Sequence, residues 1–144
     1  MKNIISEFLK DKSPVIVGVS SGNNAWGNEL FRVFLKNDYN PIPVSRSCQE
    51  IEGVRSFASI NEIPQQALNI ILSVPSKEAE KILTSTEKGK IKSVWFVLGS
   101  KPKNINEIAK EKEIEIIYGY CPMMFLNSKG VHKFHYLLKS WFSS

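Results

Sequence analysis

Five short stretches of the chain are rich in β-branched and aromatic residues: PVIVGVS (14–20), NPIPV (40–44), LNIILSV (68–74), SVWFVLG (93–99) and EIEIIYG (113–119). The first is a near-continuous apolar run without polar alternation, the pattern of a strand buried on both faces. Between them the apolar residues switch to helical spacing. Ile4, Ile5, Phe8 and Leu9 predict an amphipathic helix over 2–12, stopped by Ser13-Pro14. Leu30, Phe31, Phe34 and Leu35 predict a second helix ending near Asn37, and further helices are expected from Ser76 to about Glu87 and from about Asn104 to Lys112. In the last segment, GVHKFHYLLKSWF, Val131, Phe134, Leu138 and Trp141 fall on one face of a helix over about 130–142.

Strands alternating with helices imply right-handed crossovers and a parallel sheet with helices on both faces. The expected fold class is α/β, a Rossmann-like, doubly wound, mainly parallel sheet of about five strands. IEGVRSFASINEIP (51–64) has only short apolar pieces and reads as an edge excursion with one helical turn near Ile60.

The 144 residues are 42% hydrophobic and 23% charged, which suits one domain over 1–144 with a core of its own. Two cysteines, Cys48 and Cys121, are too few for a disulfide scaffold, and MKNIISEFLKDKSP lacks the apolar core of a signal peptide, so a reducing cytoplasm is the expected setting. Apolar runs have strand length, and no membrane span is expected. A net charge of +5 and a pI near 9.2 invite a nucleic-acid reading. Only Arg32, Arg46 and Arg55 are arginines, however, and the lysines are spread along the chain, which fits a small phosphorylated ligand equally well.

Open parallel sheets bind ligands beyond the carboxyl ends of their strands, where strand order reverses. The first such loop, Gly18-Val19-Ser20-Ser21-Gly22-Asn23-Asn24, is small, polar and leads into a helix, a natural cradle for a diphosphate. It matches the dinucleotide fingerprint only in part, with Ser20 at the second glycine position, and a plain tight turn is the competing reading. The second strand ends Val44-Ser45-Arg46. A fold built for NAD normally places a carboxylate there, whereas a cation suits a phosphorylated ribose and favours NADP or coenzyme A. Pro75 in Val74-Pro75-Ser76 sets an exit direction, and Gly99 in Leu98-Gly99-Ser100 allows either a close backbone approach or a turn.

Taken in order, VIVGVS, YNPIPVS, EIEGVRSFASINEIP, the SVP turn, VWFVLG and YGYCP resemble the small CoA-binding domain proteins. These form a Rossmann-type module similar to the N-terminal domain of the succinyl-CoA synthetase α subunit, and the resemblance spans roughly residues 14–126. It implies that coenzyme A or an acyl-CoA binds with its nucleotide end over the first loop. Gly18, Ser20, Ser21, Asn23 and Asn24 would then face phosphate, Ser45 and Arg46 would flank the ribose phosphate, and Val74, Pro75, Leu98 and Gly99 would line the adenine or pantetheine path. Two departures stand out: Ser45-Arg46 replaces an Asn-Pro common in the family, and Trp26-Gly27 replaces a basic residue before the helix. The resemblance further implies a binding module without catalytic residues, acting as sensor, carrier or accessory subunit. An NADP-binding oxidoreductase fragment and a basic nucleic-acid-binding protein are the alternatives.

Three further features compete for a role. Gly18-Val19-Ser20-Ser21-Gly22 spells the nucleophile elbow of α/β-hydrolases, but the only aspartates are Asp11 and Asp38, which leaves the triad without an obvious acid. His132 and His135 could hold a metal with Cys121 as third ligand, against the plainer expectation of no metal. Cys121, after the fifth strand, could meet the CoA thiol in a mixed disulfide; burial as a structural cysteine is the ordinary alternative. Trp95 and Phe96 read as sheet core, and Trp141 and Phe142 as a cover for the sheet or a homodimer contact.

Overall fold

A computed structural model of the chain describes residues 2–20, 26–97 and 99–126. Five strands, β1 (Val15–Val17), β2 (Ile42–Val44), β5 (Leu68–Leu72), β6 (Ile91–Phe96) and β7 (Glu115–Ile117), pair in parallel in the order β2-β1-β5-β6-β7. A small antiparallel hairpin, β3 (Glu50–Ile51) and β4 (Val54–Arg55), stands apart from this sheet. The doubly wound α/β class expected from the sequence is the one observed.

Side chains alternate across each strand, so both faces of the sheet carry core. Val15, Val17, Ile70, Leu72, Val94 and Phe96 face one layer, where α3 (Ser76–Thr84) and α4 (Ile105–Lys112) contribute Ala79, Leu83, Ile105 and Ile108. Ile16, Ile71, Trp95 and Ile117 face the other, against α1 (Lys2–Lys10) and α2 (Trp26–Lys36) through Ile5, Phe8, Leu30, Phe31 and Phe34. The strands read as continuous apolar runs because both alternating sets are buried.

Polar groups close the ends of these elements. The Tyr39 hydroxyl donates to the Leu9 carbonyl at 2.6 Å, serving a terminal carbonyl of α1. Asp11, just beyond α1, accepts from the Ser13 backbone and from Asn69 Nδ2, both at 2.9 Å. The helix stops at Lys10, two residues short of the predicted bound, because Asp11 leaves the helix to make these turn contacts.

The 51–64 excursion replaces the helix that usually links the second and third strands of such sheets. The β3–β4 hairpin is tied to α2 by the Arg32–Glu52 ion pair, Phe57 bridges to Val44 beside the β2 edge, and a 3-10 turn at Ile60–Glu62 buries Ile60 against the α3 layer. Lys90, itself buried, donates from Nζ to the carbonyls of Ile63 and Gln65 and so fixes the way back into β5. The helical turn near Ile60 was legible in advance; the hairpin was not. The C-terminal helix expected over 130–142 lies outside the described residues, as do Trp141 and Phe142. Among the described residues no helix is long and apolar enough to cross a membrane.

Candidate functional site

From β1 the chain first moves outward to β2 and later returns to β5 on the opposite side of β1, so strand order reverses between β1 and β5. At such a switch point the connections leave in opposite directions and a crevice opens above the carboxyl ends of the strands. A cleft of about 550 Å³ occupies that place. Its floor is Val17, Gly18, Val19 and Ser20 from the end of β1, Val44 to Ser47 from β2, and Ser73, Val74 and Pro75 from β5.

Two glycines hold the floor together. Gly18 has φ +109°, and a Cβ on it would sit 2.2 Å from the Ser73 carbonyl oxygen. Gly27, in the first turn of α2, packs on the same point: a Cβ there would lie 2.5 Å from the Gly18 oxygen. Close helix-on-strand packing is the task of the last glycine of the dinucleotide fingerprint, and here it falls nine positions after Gly18. This explains why the partial match at 18–22 was hard to interpret.

Asn28 then fastens the loop. Its side chain is buried and accepts from the Ser20 N–H at 2.9 Å while donating to the Ser20 carbonyl at 2.8 Å. Both main-chain polar groups of Ser20 are thereby satisfied, and the start of the phosphate-cradle loop is held in one conformation. Gly27 stood out in the sequence only as part of the Trp26-Gly27 departure and Asn28 not at all; only a search for a small residue and an amide in the first turn of α2 would have found their roles.

The structure brings Gly18, Ser20, Ser45, Arg46, Val74 and Pro75 together around one cleft. Gly99, at φ +84° after β6, is not among the lining residues. Ser21, Asn23, Asn24 and Leu98 lie outside the described residues. Ser45 is buried, its N–H donating to the Phe57 carbonyl at 2.9 Å, and its hydroxyl lies 3.5 Å from that of Ser47. Arg46 reaches over the cleft to Glu78 of α3, with 2.6 Å between Nη2 and Oε1.

The far wall was missed altogether. It is built by Ser59, Ile60 and Asn61 at the start of the 3-10 turn and by Glu78, Lys81 and Ile82 along one face of α3, with Ser85 just beyond its end. Asn61 Nδ2 donates to the Ser85 carbonyl at 3.4 Å and links its two halves. The spacing of 78, 81, 82 and 85 is that of a helix stripe, but nothing in the sequence says that it faces the 58–61 segment.

Cys121 is elsewhere. It follows β7, the edge strand farthest from β2, and is buried with Trp95, Phe8 and Met123 in the α1–α2 layer. Burial pushes its thiol from the ordinary 9.0 up to about 11, although backbone groups of Met123 and Met124 act in the opposite direction. A raised thiol pKa favours the protonated folded state, so this contribution to stability is complete below about pH 9 and is lost as pH rises through about 11. Iodoacetamide at pH 8 should leave Cys121 unmodified in the native protein and alkylate it in denaturant, as read by peptide mass spectrometry. Equal labelling of both states would contradict its burial. The mixed-disulfide reading is corrected accordingly: a buried thiol outside the cleft does not meet a ligand sulfur.

His132 and His135, the other proposed metal ligands, lie outside the described residues. Among the described residues no cluster of three or more His, Cys, Asp or Glu could hold a metal ion.

The fold and its switch-point cleft define an α/β module of the Rossmann type. The family profile of the CoA binding domain matches residues 12–127, and the chain belongs to that family. It is 22% identical over 120 residues to the α subunit of an ADP-forming acetate–CoA ligase II from Pyrococcus furiosus, a match covering 81% of this chain and 26% of the relative. The chain thus spans about a quarter of that curated relative's length. A conserved hypothetical protein from P. furiosus superimposes with a TM-score of 0.72 at 25% identity, covering 78% of this chain and 97% of that one. A hypothetical protein from Pyrococcus horikoshii OT3 does so with a TM-score of 0.75 at 24% identity, over 85% and 87% of the two chains, and shares the fold.

Proposed function

We propose that the protein binds coenzyme A or an acyl-CoA in the switch-point cleft, as a single-domain module over residues 1–144 that does no chemistry of its own. The observation that supports this best is the convergence of three strand ends on one cleft, in a chain that belongs to the CoA binding domain family. The residues suit the ligand. Gly18 lets the end of β1 close against Ser73 to form the cleft floor, and Ser20, with Ser21, Asn23 and Asn24 next in sequence, supplies hydrogen-bonding groups for a diphosphate. Ser45, Ser47 and the Arg46 guanidinium gather at the end of β2, where the ribose phosphate would lie, and Arg46 can engage it with two parallel hydrogen bonds. Ile60 and Ile82 offer apolar walls for adenine, while Val74 and Pro75 give the start of a path for pantetheine.

The non-catalytic part of the reading rests on the cleft's side chains. Among its described lining residues the one carboxylate, Glu78, is engaged by Arg46, and the remainder are hydroxyls, amides, apolar groups and Lys81. A sensor, carrier or accessory subunit in the cytoplasm fits such a site. Arg46 in place of a carboxylate equally favours NADP over NAD, which makes an NADP-binding oxidoreductase fragment the second reading.

Thermal unfolding with CoA, acetyl-CoA, NADP and NAD separates the two. A ligand at about 100 times its dissociation constant adds about 2.7 kcal/mol, which for a chain of this size raises the midpoint by roughly 5–10 °C. The expected result is such a rise with CoA or acetyl-CoA and none with NAD. A rise with NADP alone would replace the assignment.

A further inference from the structure

We propose that Glu78 competes with the ligand for Arg46 in this cleft: it holds the guanidinium as an internal substitute for ligand phosphate, and only a ligand carrying a phosphate dianion on its ribose opens this gate by drawing Arg46 away, at a cost in affinity. The inference rests on the coenzyme A reading of the cleft. It starts from the asymmetry of the Arg46–Glu78 pair. Glu78 is 31% exposed and sits in the first turn of α3, where the helix dipole favours a carboxylate and the helix fixes its backbone. Arg46 is 80% exposed and rises from the bend after β2. The carboxylate is therefore the fixed partner and the guanidinium the mobile one.

Both groups line the cleft, with the Ser45 and Ser47 hydroxyls beside the base of Arg46. A phosphate arriving at the end of β2 meets Arg46 already committed to a monoanionic carboxylate. A phosphate dianion carries more charge and three acceptor oxygens and can take the planar fork in two parallel hydrogen bonds. Exposed ion pairs hold weakly, so displacement of Glu78 costs on the order of fivefold in affinity or less. A nucleotide without that phosphate has nothing to draw Arg46 away, and its remaining negative charge approaches the Glu78 carboxylate. Lys81, one turn further along α3, keeps a cation at the cleft while the Arg46–Glu78 pair is closed.

Calorimetric titration with CoA and with dephospho-CoA, which differ only in the ribose phosphate, tests the gate in wild type, E78Q, R46Q and the double variant. Wild type should prefer CoA. E78Q should tighten CoA by about twofold to fivefold and change dephospho-CoA by less than that. R46Q should bring CoA down to the level of dephospho-CoA, and E78Q should give no gain in the R46Q background. Circular dichroism melts of the free variants check that each is folded. An equal effect of E78Q on both ligands, a gain that survives in the double variant, or no preference in wild type would overturn the gate while leaving CoA binding intact. Failure of wild type and E78Q alike to bind either ligand would instead remove the reading on which the gate rests.

Discussion

Gly18→Ala should be severely destabilised and should lose the ligand. Its Cβ would be driven to within 2.2 Å of the Ser73 carbonyl oxygen, a backbone atom of the neighbouring strand, from a φ of +109° that side chains rarely adopt. Backbone strain and overpacking each cost about 1–3 kcal/mol, a large share of the 5–15 kcal/mol typical of a domain. The melting midpoint should fall on the order of 10 °C or more. Gly27→Ala is the informative companion. Alanine would ordinarily favour a helix by about 1 kcal/mol over glycine, yet here its Cβ meets the Gly18 oxygen at 2.5 Å, so the helix must lift from the strand. A loss of stability in Gly27→Ala, measured by chemical denaturation, checks that the α2–β1 contact overrides helix propensity; a gain would refute it.

Trp95→Ala should cost about as much without touching the site. Trp95 is fully buried in β6, packs edge-on to Phe8 with ring centroids 5.3 Å apart, and donates from Nε1 to the Tyr120 carbonyl at 2.8 Å. Truncation of a buried aromatic of this size costs about 3–5 kcal/mol, and it leaves the Tyr120 carbonyl without its donor. Trp95 faces the α1–α2 layer and lines no part of the cleft. The folded fraction of Trp95→Ala should thus keep its CoA affinity within about threefold, whereas Gly18→Ala should lose both properties. Affinity measured at low temperature, where each variant is still folded, separates a structural core residue from a site residue.

The contrast between these two positions mirrors what a sequence can reveal. Strands β1, β5 and β6 were legible because burial on both faces writes itself as an unbroken apolar run, and the order of helices and strands followed from the switch between the two periodicities. The ends of strands were legible as candidate ligand contacts because in a parallel sheet all of them open on the same edge. Gly18, Ser20, Ser45, Arg46, Val74 and Pro75 do share one cleft.

What escaped depends on contacts between distant segments. Arg46 and Glu78 are separated by 32 positions, and only the crossover through the 3-10 turn sets α3 opposite the end of β2. The β3–β4 hairpin has two-residue strands, too short for any alternation to register. Gly27 and Asn28 act through backbone atoms of Gly18 and Ser20, and no side-chain pattern announces a hydrogen bond to a main-chain group. Lys90 looked like one more surface cation of a basic chain, yet it is buried and holds two carbonyls.

The charge excess also resolves in part. Lys10, Arg32, Arg46 and Lys88 have acidic partners, and Lys90 is buried. Arg46 and Lys81 are the cations that line the cleft, a pair suited to one phosphorylated small molecule.

A crystal structure of the protein with CoA tests the central claim most directly. The account predicts the diphosphate over Gly18 and Ser20, the ribose phosphate within hydrogen-bonding distance of Arg46, and Arg46 turned away from Glu78. Nucleotide bound at any place other than the cleft between the ends of β1 and β5 would contradict it.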